Sequence, residues 1–252
     1  MILAITAAFL CLSGGEATAG AWPMAKGQTQ VIAKVERQSA DQVFDADGAL
    51  LDLGRREDET ASVFIEHGVT DRLTLQARAG LTRGRDPFVR YEGRGPVELG
   101  LRYAVLRRPR TVAAIYLGAA EAGVGRNAGY AAPGQGEVDL EARLLLGRAV
   151  TTRRGEIFSD LQLARLRRSG LADETRMDAT LGLRPARNWL VMAQTYAGEA
   201  DAKPRKSSWI KAELSVVRGF GAWSVQAGWR QTLAGREIAR DRGVVLGIWR
   251  GF

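Results

Sequence analysis

The feature that most constrains this chain is a period-two alternation of apolar and polar residues, repeated in segment after segment. In Glu137 to Arg148, Val138, Leu140, Ala142, Leu144 and Leu146 share one register, with Glu137, Asp139, Glu141 and Arg143 in the other. In Val97 to Leu106, Val97, Leu99, Leu101, Tyr103 and Val105 oppose Glu98, Gly100 and Arg102. Thr175 to Arg184 sets Met177, Ala179, Leu181 and Leu183 against Arg176, Asp178 and Thr180. Trp209 to Arg218 sets Ile210, Ala212, Leu214 and Val216 against Lys211, Glu213 and Ser215. Trp223 to Thr232 sets Trp223, Val225, Ala227 and Trp229 against Ser224, Gln226, Gly228 and Arg230. Successive side chains of a strand point to opposite faces, so each segment reads as a strand with one apolar and one polar face. A helical bundle needs a period near 3.6 and does not fit.

The connections alternate in kind. Short turns are expected near Gly68 to Arg72, Arg107 to Arg110, Val150 to Gly155, Arg184 to Asn188 and Arg218 to Gly221. Longer or more polar loops are expected at Gln38 to Glu59, Thr82 to Gly95, Gly123 to Gln135, Ser169 to Glu174, Gly198 to Ser207 and Gly235 to Ala239. Long outer loops alternating with short turns mark a membrane barrel. The strands fall near 28–37, 60–67, 73–81, 96–106, 111–122, 136–149, 156–168, 175–183, 189–197, 208–217, 222–233 and 240–252. The expected fold is all-β: a transmembrane antiparallel up-and-down β-barrel of about twelve strands. An even count puts both termini on the periplasmic side. A two-sheet sandwich would alternate too, but it would keep one face wet and one dry.

The N-terminus agrees with export. Met1 to Leu12 is an apolar run too short to span a bilayer, followed by Ser13-Gly14-Gly15 and Ala17-Thr18-Ala19. The expected division is a signal peptide over 1–19, cut before Gly20, and a barrel over 20–252. Cys11, the single cysteine, would leave with the signal. The net charge of +8 rises by one when Glu16 is removed. The basic residues are spread over strand faces and turns, without a basic helix or an RNA-binding motif, which argues against a nucleic-acid partner. Rim arginines Arg83, Arg85, Arg90 and Arg94, with Arg165, Arg167 and Arg168, are candidates for lipopolysaccharide phosphates.

The polar faces are the candidate site. Gln76, Arg78, Glu98, Arg102, Asp139, Glu141, Arg143, Arg176, Asp178, Lys211, Glu213, Gln226 and Arg230 are expected to point into the lumen. Such a row serves either as a ladder of ion pairs that stiffens the wall or as a charged constriction that selects solutes. Trp189, Trp223 and Tyr103, with His67, are expected in an interfacial girdle near the periplasmic turns. The final strand ends on Phe252, the expected signal for the barrel-assembly machinery.

Other motifs are weaker. His67 is the single histidine, with Glu66 beside it and Ser62 nearby. In a strand both would face away from His67, so a hydrolytic constellation is a poor fit. Asp45-Ala46-Asp47-Gly48 has part of a calcium-loop pattern but lacks the distal Glu, and Asp-Gly is also a turn signal. Gly123 to Gly129 has the wrong spacing for a nucleotide loop. No catalytic residue, metal or cofactor is expected.

Four runs resemble a group of proteobacterial outer-membrane barrels: Ala21-Trp22-Pro23-Met24-Ala25-Lys26-Gly27, the stretch from Glu66 to Leu75, Glu98-Leu99-Gly100-Leu101-Arg102-Tyr103, and Trp249-Arg250-Gly251-Phe252. The group is loosely similar to the barrels named for the meta-pathway of phenol degradation. Against that pattern, His67 replaces a more usual Tyr, and Arg250 occupies an apolar position of the last strand. The resemblance implies a Gram-negative outer-membrane location and passive passage of small hydrophobic or aromatic solutes. The competing reading is a non-transporting interaction barrel whose 38–59 loop, with Asp41, Asp45, Asp47, Asp52, Glu57 and Asp58, is the contact surface.

Overall fold

The computed structural model describes residues 20–124, 138–201 and 206–252. Among these, twelve long strands close one antiparallel barrel. They are β1 (Thr29–Phe44), β2 (Leu50–Gly68), β3 (Leu73–Arg85), β5 (Val97–Arg108), β6 (Thr111–Glu121), β7 (Val138–Thr152), β8 (Gly155–Arg167), β9 (Glu174–Ala186), β10 (Trp189–Ala200), β11 (Ser207–Phe220), β12 (Trp223–Arg236) and β14 (Arg242–Gly251). Two short strands, β4 (Arg90–Arg94) and β13 (Ile238–Ala239), extend the outer ends of β3 and β1. Each long strand pairs with its neighbour in sequence. The barrel closes where β14 pairs with β1, from Gln30 opposite Gly251 to Ser39 opposite Arg242. Closure leaves no sheet edge to be satisfied in lipid.

The exterior decides between a membrane barrel and a sandwich. Leu99, Leu117, Leu144 and Leu214, all in the apolar register, are between 58% and 62% exposed. A soluble sandwich buries that register, whereas here it forms a continuous apolar belt, as a lipid-facing wall requires. Tight turns at 69–72, 109–110, 153–154, 187–188 and 221–222 lie at the same end as both termini. That end is the periplasmic one in barrels of this architecture.

The outer hairpins depart from expectation. The stretch 38–59 is not a loop: β1 and β2 continue as a paired ribbon to a tight turn at 45–49, with a bulge between Ala40 and Gln42. Likewise 82–95 is largely strand, because β3 runs to Arg85 and β4 folds back on it. Above the belt a strand needs no apolar face. The ribbon's outward residues are charged and pair across strands, Arg83 with Glu59 at 2.9 Å and Arg85 with Glu57 at 3.3 Å. Polar composition therefore disguised strand as loop. Asp45 caps this turn, accepting the backbone N–H of Asp47 (2.9 Å) and of Ala49 (2.8 Å), which is a turn role rather than a metal-loop role. The 123–135 loop lies mostly outside the described residues.

Candidate functional site: the lumen

The lumen has three levels. The lowest is built by a segment that is not part of the wall. Residues 25–28 run along the periplasmic rim, where the Lys26 N–H donates to Asp71, and residues 20–24 lie inside the barrel as a strap. Gly20, at φ +63°, makes the first bend, and a Cβ there would run into Asp160 Oδ1 and Gln162 Nε2. The Ala21 N–H donates to Asp160 Oδ2 at 2.7 Å, and the Met24 N–H to Thr74 Oγ1 at 3.0 Å. Arg102 donates to the carbonyls of Gly20 and of Trp22, the latter at 2.7 Å, and pairs with Glu66 at 2.8 Å. Gln76 Nε2 completes the cluster by donating to Glu66 at 2.6 Å.

Trp22 is the strap's anchor. It joins two apolar clusters: Ala21, Ala104, Val112, Ala114 and Leu145 on one side, and Phe158, Leu190, Met192, Val217 and Trp249 on the other. Its ring meets Phe158 edge-on with centroids 6.3 Å apart, and it packs where Gly147 has no side chain. The two clusters come from β5 to β8, β10, β11 and β14, so an apolar floor crosses the lower lumen.

Above this floor lies a cavity of about 340 Å³. Its wall mixes apolar and aromatic groups (Ile32, Phe64, Tyr116, Met192, Tyr196, Trp249) with charged ones (Lys34, Arg78, Glu98, Glu141, Arg143). Arg78 and Glu98 stand opposite each other on β3 and β5, and neither makes an ion pair among the described residues. Arg143 is committed: it pairs with Glu141, lies 3.7 Å from Asp178 and donates to Gln162 at 2.5 Å. Its guanidinium also lies 5.7 Å from the Tyr116 ring centroid.

The upper level is an ion-pair lattice. Arg230 bridges Glu213 at 2.6 Å and Glu36 at 2.8 Å, with the Tyr196 ring centroid 4.7 Å away. Lys34 reaches Glu36 at 2.9 Å. Glu213, fully buried, also accepts from Ser215 and Gln226. Around the wall, Glu174 holds Arg168 and Arg176, and Arg168 reaches Asp139 at 3.6 Å. Lys211 reaches Asp241 at 3.4 Å. In the ribbon above the membrane, Tyr91 donates to Asp58, whose other oxygen accepts from Arg56 at 2.6 Å. Burial first, and then this bond to Asp58, push the Tyr91 hydroxyl above its ordinary value. Glu57 is held below its ordinary value chiefly by the hydrogen bond from Arg55, with desolvation opposing and the charges of Arg55, Arg85 and Arg37 assisting.

The inward register thus collects all thirteen residues named from the alternation, at different levels. Gln76 and Arg102 sit with the strap, and Arg78, Glu98, Glu141 and Arg143 line the cavity. Asp178 lies between the cavity and the lattice. Asp139, Arg176, Lys211, Glu213 and Arg230 belong to the lattice, and Gln226 joins Glu213 to Trp249. His67 faces outward, its Nδ1 2.8 Å from Thr29 Oγ1, while Glu66 and Ser62 turn inward, so no hydrolytic set assembles. Tyr103, Trp189 and Trp223 are exposed on the outer wall. Arg218 stacks 4.4 Å from the Trp189 centroid, and Arg250 lies 4.6 Å from those of both Trp223 and Phe252. The unusual Arg250 therefore sits in an aromatic clamp at the rim. Of the rim arginines, Arg83, Arg85, Arg94 and Arg165 pair with carboxylates, and Arg168 is turned inward.

The strap, Asp160, Glu66 and Glu36 were not among the lumenal residues named from the sequence. For Glu66 and Glu36 the signal was present. Outward His67 forces Glu66 inward, and Val31, Ala33 and Val35 facing lipid force Glu36 inward.

No family model matches the chain, and no curated protein matches it. Solved structures do. A crystal structure of an outer membrane channel from Pseudomonas putida F1 superposes with a TM-score of 0.75 at 12% identity, covering 93% of this chain and 99% of that one. The KdgM porin in complex with disordered oligogalacturonate gives 0.58 at 8% identity, over 88% and 99%. The translocator domain of the autotransporter NalP from Neisseria meningitidis gives 0.54 at 13%, over 90% and 89%. The chain has the fold of outer-membrane β-barrels.

Proposed function

We propose that the chain is a narrow passive channel of the Gram-negative outer membrane for small solutes with an aromatic or apolar body, and that it performs no chemistry. The observation that carries this is the mid-lumen cavity. It is large enough for a small ligand, it is lined by aromatic rings, and it holds one cation and one anion, Arg78 and Glu98, that form no ion pair among the described residues. Aromatic faces beside a guanidinium suit a planar solute carrying a negative group better than a sugar. This agrees with the resemblance to the phenol-pathway barrels. The strap is then the periplasmic closure, and solute passage requires it to move.

The test is solute flux into liposomes carrying the refolded chain 20–252, comparing benzoate-sized aromatic acids with neutral sugars of similar mass, together with planar-bilayer recordings. Faster entry of the aromatic acids is expected. Equal, background-level entry of both, from intact barrels and from barrels lacking residues 20–26, would remove the channel reading. The ion-pair lattice and the occupied lower lumen would then favour a non-transporting barrel that acts through its outer ribbon.

A further inference from the structure

We propose that Asp160 is a binding site for the α-ammonium group created when the chain is cut before Gly20, so that the strap seats only after proteolytic processing. This rests on the signal-peptide reading and is independent of whether the lumen conducts.

Three observations meet here. First, Asp160 is a carboxylate 3% exposed, yet among the described residues it makes no ion pair. Its partners are neutral donors, the Ala21 N–H at 2.7 Å and Gln162 Nε2 at 2.6 Å. The nearby cations are engaged elsewhere, Arg102 with Glu66 and Arg143 with Glu141. An unbalanced buried carboxylate is costly and calls for a cation. Second, Gly20 lies against that carboxylate so closely that a Cβ would collide with Asp160 Oδ1. The backbone nitrogen of Gly20 is therefore in the same small volume. Once freed, with an ordinary pKa of roughly 8, it supplies a positive charge there near neutral pH. Third, Ala17-Thr18-Ala19 ends immediately before Gly20, which places the expected cut at the one bond whose cleavage delivers that amine.

Gly20 is also part of the lining of the 340 Å³ cavity. Arg102 completes the arrangement by gripping the carbonyls of Gly20 and Trp22. The first residues of the cut chain are then held at both ends of their charge distribution, amine on Asp160 and carbonyls on Arg102.

The experiment uses four refolded proteins: chains beginning at Gly20 and at Thr18, each with Asp160 and with Asp160→Asn. Hydrogen exchange of the peptide covering 20–28 reports strap seating, and heat-modifiable gel mobility confirms that each barrel is closed. The chain beginning at Gly20 should be protected. Starting at Thr18 should speed exchange roughly tenfold or more, as the loss of one buried charge pair implies. Asp160→Asn should bring the Gly20 chain to a similar rate and change the Thr18 chain much less. Equal protection from both start points overturns the proposal. So does an equal effect of Asp160→Asn on both, because Asp160 would then act only through the Ala21 N–H. An amino terminus other than Gly20 on protein purified from outer membranes overturns it as well.

Discussion

Arg102 and Glu66 form a 2.8 Å ion pair in which the guanidinium is 1% and the carboxylate 5% exposed, and the same guanidinium holds the backbone of the strap. Wall and strap therefore share one buried charge. Removing one member of such a pair leaves the other uncompensated. Arg102→Met is expected to cost about 3–5 kcal/mol in denaturant unfolding of the refolded barrel. Adding Glu66→Gln should recover a large part of that loss. A double variant no more stable than the single one would show that Arg102 acts through the strap carbonyls instead.

Trp22 spans the floor between two apolar clusters, so it is the residue whose truncation should free the strap without harming the wall. Trp22→Ala removes a large, partly buried ring, a change that costs about 3–5 kcal/mol where such a ring is fully part of a core and less here. Here the loss should fall on the strap. Heat-modifiable mobility should be kept, while ionic conductance in planar bilayers rises above that of the parent. A variant that fails to close its barrel would show instead that the strap is a folding element.

The fold was legible because lipid enforces the alternation. With apolar belts such as Leu140, Ala142, Leu144 and Leu146 in one register, Glu141 and Arg143 had only the lumen left to face. The same rule failed above the membrane. Around Glu57 and Arg85 both faces are wet, so strand and loop have the same composition and the ribbon read as loop. The strap was illegible for a different reason. Ala21-Trp22-Pro23-Met24 has no periodicity, and its place depends on Thr74 and Arg102, paired across β3 and β5, and on Asp160 of β8, residues far apart in the sequence. Pairing within the lumen was equally hidden. Alternation says that Arg78 and Arg230 both face inward, but not that Glu36 and Glu213 both pair with Arg230, while Arg78 makes no ion pair among the described residues.

The outer ribbon should loosen at both ends of the pH scale. The folded-state pKa of Glu57 is depressed below its ordinary 4.5, with the hydrogen bond from Arg55 the leading cause. Its contribution is present above that ordinary value and is lost as pH falls through the lower, folded-state value. Tyr91 is the reverse case. Its pKa is raised above 10.0, chiefly by burial and then by the bond to Asp58. Its contribution is complete below 10.0 and is lost as pH rises through the folded-state value. Hydrogen exchange of the 50–60 and 83–94 segments, corrected for intrinsic rates, should show protection that is highest near neutrality and falls at both extremes. In Tyr91→Phe the alkaline fall should vanish while the acid one stays.

Arg78 and Arg230 separate selectivity from stability. Arg230 is 15% exposed and is the shared partner of Glu36 and Glu213. Arg230→Gln leaves Glu213 buried without a cation and is expected to cost about 3–5 kcal/mol. Arg78 faces the cavity opposite Glu98 with no ion pair to lose, so Arg78→Gln should change stability by less than about 1 kcal/mol. Its effect belongs to permeation. In the Trp22→Ala background, where the floor is expected to be open, reversal potentials in a salt gradient should move toward cation preference when Arg78 is neutralised. Removing the cation leaves Glu98 as the dominant charge of the constriction, so Glu98→Gln should move them the other way. If Arg78→Gln leaves the reversal potential unchanged while Arg230→Gln shifts it, the upper lattice and not the aromatic cavity sets the charge selectivity of the path.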